Sequence, residues 1–102
     1  MPTFETLSRF ERDWEKLTAQ QQATFRRVVT EAFVPDLAAP DRPFRRGLHV
    51  KGVTAHPDVF EMTSDNDGRA TFSYGDERIS GQAHVIWRRL GTHAIFTLPP
   101  GP

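Results

Sequence analysis

From residue 45 onward the chain gathers the side chains that can handle a phosphodiester. All four histidines are there, at His49, His56, His84 and His93, with Lys51, Arg69 and the doublets Arg45-Arg46 and Arg88-Arg89. Strand alternation puts His49 and Lys51 on one face of a strand and Arg69 on the wet side of another. His93 and Phe96 follow directly on the last strand. A sheet face carrying Lys, Arg and His beside a stacking aromatic can grip an RNA backbone and a base. Metal-free RNA cleavage on such a face would proceed by attack of the ribose 2′-hydroxyl on the neighbouring phosphate. It needs a base at the hydroxyl, an acid at the leaving oxygen and cations around the phosphoryl oxygens.

Each of these residues also has a plainer reading. His93 can be a loop histidine bonded to backbone, and His49 with Lys51 can be a solvated strand face. Asp67 sits in the turn "DNDG", where Asp, Asn and Gly belong for their tolerance of left-handed backbone. Arg69 can pair with Glu61 or Asp76 across strands. Arg88 and Arg89 should face opposite ways, so at most one of them reaches an open face, and Arg89 is the expected one. Trp87 and Phe96 can both be core, Phe96 being the better stacking candidate. His56 and His84 receive no role.

Two periodicities must position these groups. Leu7, Phe10, Trp14 and Leu17 form one apolar stripe of a helix. Thr18 and Gln21 read as a capping box opening a second helix, with the stripe Phe25, Val28, Val29, Ala32 and Phe33 and an end near Pro35. The proline-rich "PDLAAPDRPF" is a loop. After it the period becomes two. "GLHVKGV", "DVFEMTS", "RATFSYG" and "HVIWRR" read as four strands of an antiparallel meander, and Thr3 to Thr6 as a short additional strand. Ala70, Phe72 and Tyr74 should face the core, with Thr71 and Ser73 on the wet side. The fold class is therefore α+β, a helical hairpin covering one sheet face and leaving the other partly open as the natural place for a site.

The segments "LHVKGV…VFEMTSDNDGRATFSY…HVIWRRLGTHAIF" resemble the RelE/ParE superfamily of bacterial toxin components. The "RRLGTHAIF" close is most similar to the YafQ branch, whose members end the last strand in a Gly-Thr-His stretch followed by a phenylalanine. The "F..DWEKL" of Phe10 to Leu17 also fits, and the resemblance spans residues 4 to 96. It implies a RelE-like helical hairpin packed on an antiparallel four- to five-stranded sheet. It also implies a toxin of a type II toxin-antitoxin system, a metal-independent endoribonuclease that cleaves mRNA in the ribosomal A site and so inhibits translation. Ribosome, mRNA and a cognate antitoxin are the implied partners, with DNA reached only through the antitoxin complex. Matched position by position, His93 looks like the general acid and His49 or Asp67 the base. Arg69 looks like the arginine set against the phosphate, Lys51 and Arg89 like its further clamp, and Phe96 like the terminal aromatic. Arg45 and Arg46 count among the substrate-binding cations. The branch's second histidine, due near Met62 or Thr63, is absent, and the His93 to Phe96 spacing is one residue short. Two other readings keep the fold: an inactive binding protein acting with an antitoxin as a DNA corepressor, and a ParE-like gyrase inhibitor.

The whole chain bounds these readings. Its 102 residues suit one domain with one core, needing neither metal nor disulfide, and 97–102 reads as a short disordered tail. The chain has no cysteine, so thiol chemistry is excluded. Thirteen basic and thirteen acidic side chains give a net charge of zero, which removes a basic whole-protein field but allows a local basic face. The start "MPTFETLSRFERDW" lacks the features of a signal peptide, and no segment approaches the roughly 20 apolar residues of a membrane span. Cytoplasmic residence without membrane contact is the expectation. No two histidines are spaced as a ligand pair on one element, so neither a metal nor a cofactor is expected.

Overall fold

The computed structural model describes residues 2–39 and 41–96, without the side chains of His93 and Phe96. The proline-rich tail from 97 onward lies outside the described residues.

Both apolar stripes form helices. The first, α1 (Ser8–Glu15), buries Phe10 and packs along the last strand of the sheet. The second, α2 (Ala19–Val28), opens at the expected capping box. The Thr18 N–H donates to Gln21 Oε1 at 2.8 Å, and the Gln21 N–H donates to Thr18 Oγ1 at 3.1 Å. The helical path does not stop before Pro35. It passes through a wide π-helical turn, Val29–Phe33, into α3 (Val34–Leu37), with the Val34 N–H reaching back five residues to the Val29 carbonyl. In a regular α-helix the proline ring would collide with the carbonyl four residues before it. The wider turn accompanies the proline, which sits at the start of α3.

The sheet contains β1 (Thr3–Thr6), β2 (Lys51–Val53), β3 (His56–Thr63), β4 (Gly68–Gly75) and β5 (His84–Thr92), in the spatial order β1-β5-β4-β3-β2. β2 to β5 form the expected antiparallel meander. β1 joins β5 in parallel, from Thr3 beside His84 to Thr6 beside Trp87, so the complete sheet is mixed. His84 fastens this short strand. Its ring, 4% exposed, lies 2.7 Å from Thr3 Oγ1 through Nδ1 and 2.7 Å from Glu5 Oε1 through Nε2. That hydrogen bond, helped by Arg78, holds the Glu5 carboxyl below its ordinary pKa.

Between helices and sheet lies an aromatic core. Phe33 and Phe72 are fully buried and meet Trp87 at centroid distances of 5.2 and 5.6 Å, while Phe10 and Phe25 close over the same indole. Met62, Ala70, Val85 and Leu90 complete it from the strands and Leu48 from the loop. Among the described residues no helix is long and apolar enough to cross a membrane.

Two local expectations are corrected. "GLHVKGV" is not one strand. Arg46–Leu48 forms a 3-10 turn, His49 takes a left-handed conformation at φ 49°, and the strand begins only at Lys51. Leu48 is buried and plugs the core, so the chain must reverse immediately after it, and His49 absorbs that reversal. The second face of the sheet is also less open than alternation suggests. Thr71 and Ser73 are buried, whereas Tyr74 is 45% exposed. A C-terminal 3-10 turn, His93–Phe96, folds back against β4 and β5 and buries Ile95. Gly91 makes room for it, since a Cβ there would lie 3.1 Å from Ile95 Cγ2.

Candidate functional site

The register brings most of the candidate residues to one end of the sheet. Lys51 lies opposite Glu61, Thr63 opposite Arg69, and Gly68 opposite Thr92. The starts of β2 and β4 thus meet the ends of β3 and β5, and the backbone of His93 follows Thr92 at that end. A cleft of about 660 Å³ opens there, between Val28 of α2, Ala32 of the π-helical turn, the 47–49 turn and the strand ends.

His49 reaches the cleft from its left-handed turn rather than from a strand, and Lys51 and Arg69 line it too. Lys51 Nζ lies 3.2 Å from Glu61 Oε1, the lysine side chain 72% exposed and the glutamate 16%. Such an exposed pair is worth about 1 kcal/mol or less, so an incoming phosphate can draw the lysine away. Arg69 does not pair with Glu61. Its Nη1 donates to the Gly68 carbonyl at 3.0 Å, holding the guanidinium over the 65–68 turn. Side chains of Lys, Arg and His converging on one cleft suit a phosphate and a proton transfer beside it.

Asp67 is not brought to this cleft. It faces a smaller hollow of about 350 Å³ on the other side of the turn, with Gln21, Thr24 and Thr92. The carboxylates that line the cleft are Asp65 and Glu61, neither of which was singled out from the sequence. Asp65 had a signal available. Its side chain accepts the Asn66 N–H at 2.7 Å and its carbonyl accepts the Gly68 N–H at 3.2 Å, the local bonding that "DNDG" encodes. Glu61 had none beyond alternation.

Two arginines expected at the substrate are structural. Arg45 clamps Asp36 of α3, donating from Nε at 2.8 Å, from Nη2 at 2.9 Å and from its backbone N–H at 2.8 Å. These bonds pull the Asp36 carboxyl down to a pKa of about 2 and tie the 46–48 turn, with His49, to the helices. Arg89 is buried against Asp13 of α1, with Nε 2.7 Å from Oδ2. The same Oδ2 accepts the Leu90 N–H at 3.0 Å. β1 ends beside Trp87, so this carboxylate takes an edge N–H that no strand reaches, and Arg89 follows it. The arginine left on the other side is therefore Arg88. Arg46 stays exposed on the 3-10 turn. The side chains of His93 and Phe96 lie outside the described residues. Among the described residues no three His, Cys, Asp or Glu side chains gather as a metal-binding group.

No family model and no curated protein matches the chain. Solved structures do share its fold. YafQ from E. coli superposes with a TM-score of 0.58 at 12% identity, over 92% of this chain and 96% of that one. A copper-bound mutant toxin from Helicobacter pylori gives a TM-score of 0.63 at 17% identity, over 92% and 97%. The E. coli DinJ-YafQ toxin-antitoxin complex gives 0.61 at 13% identity, over 91% and 93%. At these identities the likeness establishes the fold, a RelE-like α+β architecture.

Proposed function

We propose that this chain is the toxin of a type II toxin-antitoxin pair, a metal-independent endoribonuclease that cleaves mRNA in the ribosomal A site and so halts translation. The observation that carries this reading is the convergence of His49, Lys51 and Arg69 on one cleft, at the sheet end where the backbone of His93 emerges. In this reading His93 protonates the leaving oxygen and His49 takes the 2′-hydroxyl proton. Lys51 and Arg69 hold the phosphate, Phe96 stacks on a base, and Arg46 adds an exposed cation next in sequence to the lining residue Gly47. Asp67 is set aside as base because it opens onto the other hollow. Arg45 and Arg89 keep structural tasks only. The partners are a cognate antitoxin, the ribosome and mRNA, all in the cytoplasm.

A second reading is favoured by one observation. With Arg89 committed to Asp13, the cleft holds fewer cations than the sequence promised. A catalytically silent RelE-fold protein that acts with its antitoxin on DNA would need no more. Expression without antitoxin separates the two. The first reading expects growth arrest, discrete toeprint stops on ribosome-bound mRNA, and relief of both by His93→Ala. Growth arrest that persists in a stably folded His93→Ala chain refutes the acid role, and absence of arrest and stops in the unaltered chain refutes cleavage.

A further inference from the structure

The cleft at the sheet end holds as many carboxylates as permanent cations. Lys51 and Arg69 share it with Glu61 and Asp65, so with His49 neutral its formal charge is zero. A cleft shaped only to attract a polyanion is lined by one sign of charge. Neither carboxylate has a task in the cleavage reading. Asp65 is explained by its turn, where its side chain accepts the Asn66 N–H. Glu61 has no such local reason.

The register shows what Glu61 faces. It lies in β3 directly opposite Lys51 of β2 and two residues before Thr63, which lies opposite Arg69 of β4. Alternation therefore sets Glu61 on the same side as both cations, beside Lys51 and diagonal to Arg69. It holds Lys51, with Nζ 3.2 Å from Oε1, while Arg69 bonds the Gly68 carbonyl. The pair is lopsided. The lysine side chain is 72% exposed on a flexible stem, whereas the glutamate is 16% exposed and stays with its strand. A phosphate that draws Lys51 away leaves Glu61 behind, short of water and beside the incoming anion. Losing the exposed pair costs little, but leaving two like charges together where water screens them poorly costs more.

Resting on the reading that an RNA phosphate enters this cleft, we propose that Glu61 is a specificity-determining residue that keeps free RNA out. It competes with the phosphate for Lys51 and repels it once bound, so a flexible strand binds weakly. A strand already ordered by the ribosome has less freedom left to lose and can meet that cost. Glu61 acts through Lys51 and through its charge, and it transfers no proton.

Binding of an end-labelled 2′-O-methyl adenylate hexamer, read by fluorescence anisotropy, tests this apart from cleavage, because its blocked 2′-oxygen cannot attack. The full chain should bind it weakly. Glu61→Gln keeps the shape, removes the charge and should tighten binding about tenfold. Glu61→Thr should do the same, and it decides the matter if the glutamine variant does not fold, threonine being suited to a strand. In a Lys51→Met background the gain from Glu61→Gln should fall to about threefold or less, since no cation is released. Glu77→Gln, exposed beyond the other end of β4, removes an equal charge and should change binding less than about twofold. Unchanged binding in a folded Glu61 variant overturns the proposal, as does an equal gain from Glu77→Gln or an undiminished gain without Lys51. Growth arrest and toeprint stops with no gain from Glu61→Gln overturn this role and leave the ribonuclease reading standing. A gain in a chain that neither arrests growth nor cuts mRNA supports the role of Glu61 in RNA binding and removes cleavage.

Discussion

The β1–β5 edge and the cleft at the end of β2–β4 use the same residue types to opposite effect. At the edge a histidine, an arginine and two carboxylates are consumed by one another. His84 bridges Thr3 and Glu5, and Asp13 holds both Arg89 and the Leu90 N–H. In the cleft His49 occupies a left-handed turn, Lys51 makes one exposed contact with Glu61, and Arg69 bonds a turn carbonyl. At the edge Asp13 takes a backbone N–H that no strand reaches, and His84 ties two side chains of β1 to β5, so geometry fixes both. The cleft groups sit where strands end and leave charge available to a ligand. A polar side chain's availability thus depends on whether backbone groups beside it still need partners.

The largest expected effect tests the edge. Asp13→Ala removes the carboxylate from buried Arg89 and the acceptor from the Leu90 N–H, and should destabilise the fold by about 3–5 kcal/mol in urea unfolding. A loss below about 1 kcal/mol would place Arg89 with the weakly held cations of the cleft. Next comes the Asp36–Arg45 clamp that joins the cleft's turn to the helices. Folding lowers the Asp36 pKa from 3.8 to about 2, so its contribution is complete above pH 3.8 and disappears as the pH falls toward 2. The gap in thermal stability between the unaltered chain and Asp36→Asn should therefore narrow across that window. A gap that stays constant would show that the carboxylate's charge contributes nothing. The smallest effect on stability belongs to the cleft. Lys51→Ala and Arg69→Ala should each change stability by about 0.5 kcal/mol or less while reducing toxicity on expression. A loss of stability as large as that of Asp13→Ala would make these residues structural and erase the contrast.

Much of the fold was legible residue by residue. The Thr18–Gln21 capping box, both helical stripes, the "DNDG" turn and three of the four alternating strands depend on neighbours within a few positions and are present, while of "GLHVKGV" only Lys51–Val53 is strand. The site was legible in part. His49, Lys51 and Arg69 share the cleft as their types suggested, but His49 arrives through a turn that alternation could not foresee. Asp65 borders both hollows and Asp67 only the smaller one, a difference of two positions within one turn that strand alternation does not resolve. The sequence shows the charges of Arg45 and Arg89 without the counter-charges, Asp36 and Asp13, that make both structural.

Local rules, set by backbone sterics and side-chain period, were enough to define the helices, the strands and the RelE-like order of elements. Only the tertiary structure decided which arginine of the 88–89 doublet is tied to a carboxylate among the described residues. The partner of Arg89 is 76 residues away on α1, and the bulge that displaces Arg88 exists only once β4 and β5 pair. Hydrogen-bond satisfaction is an account kept over the whole fold, and no local window of sequence contains it.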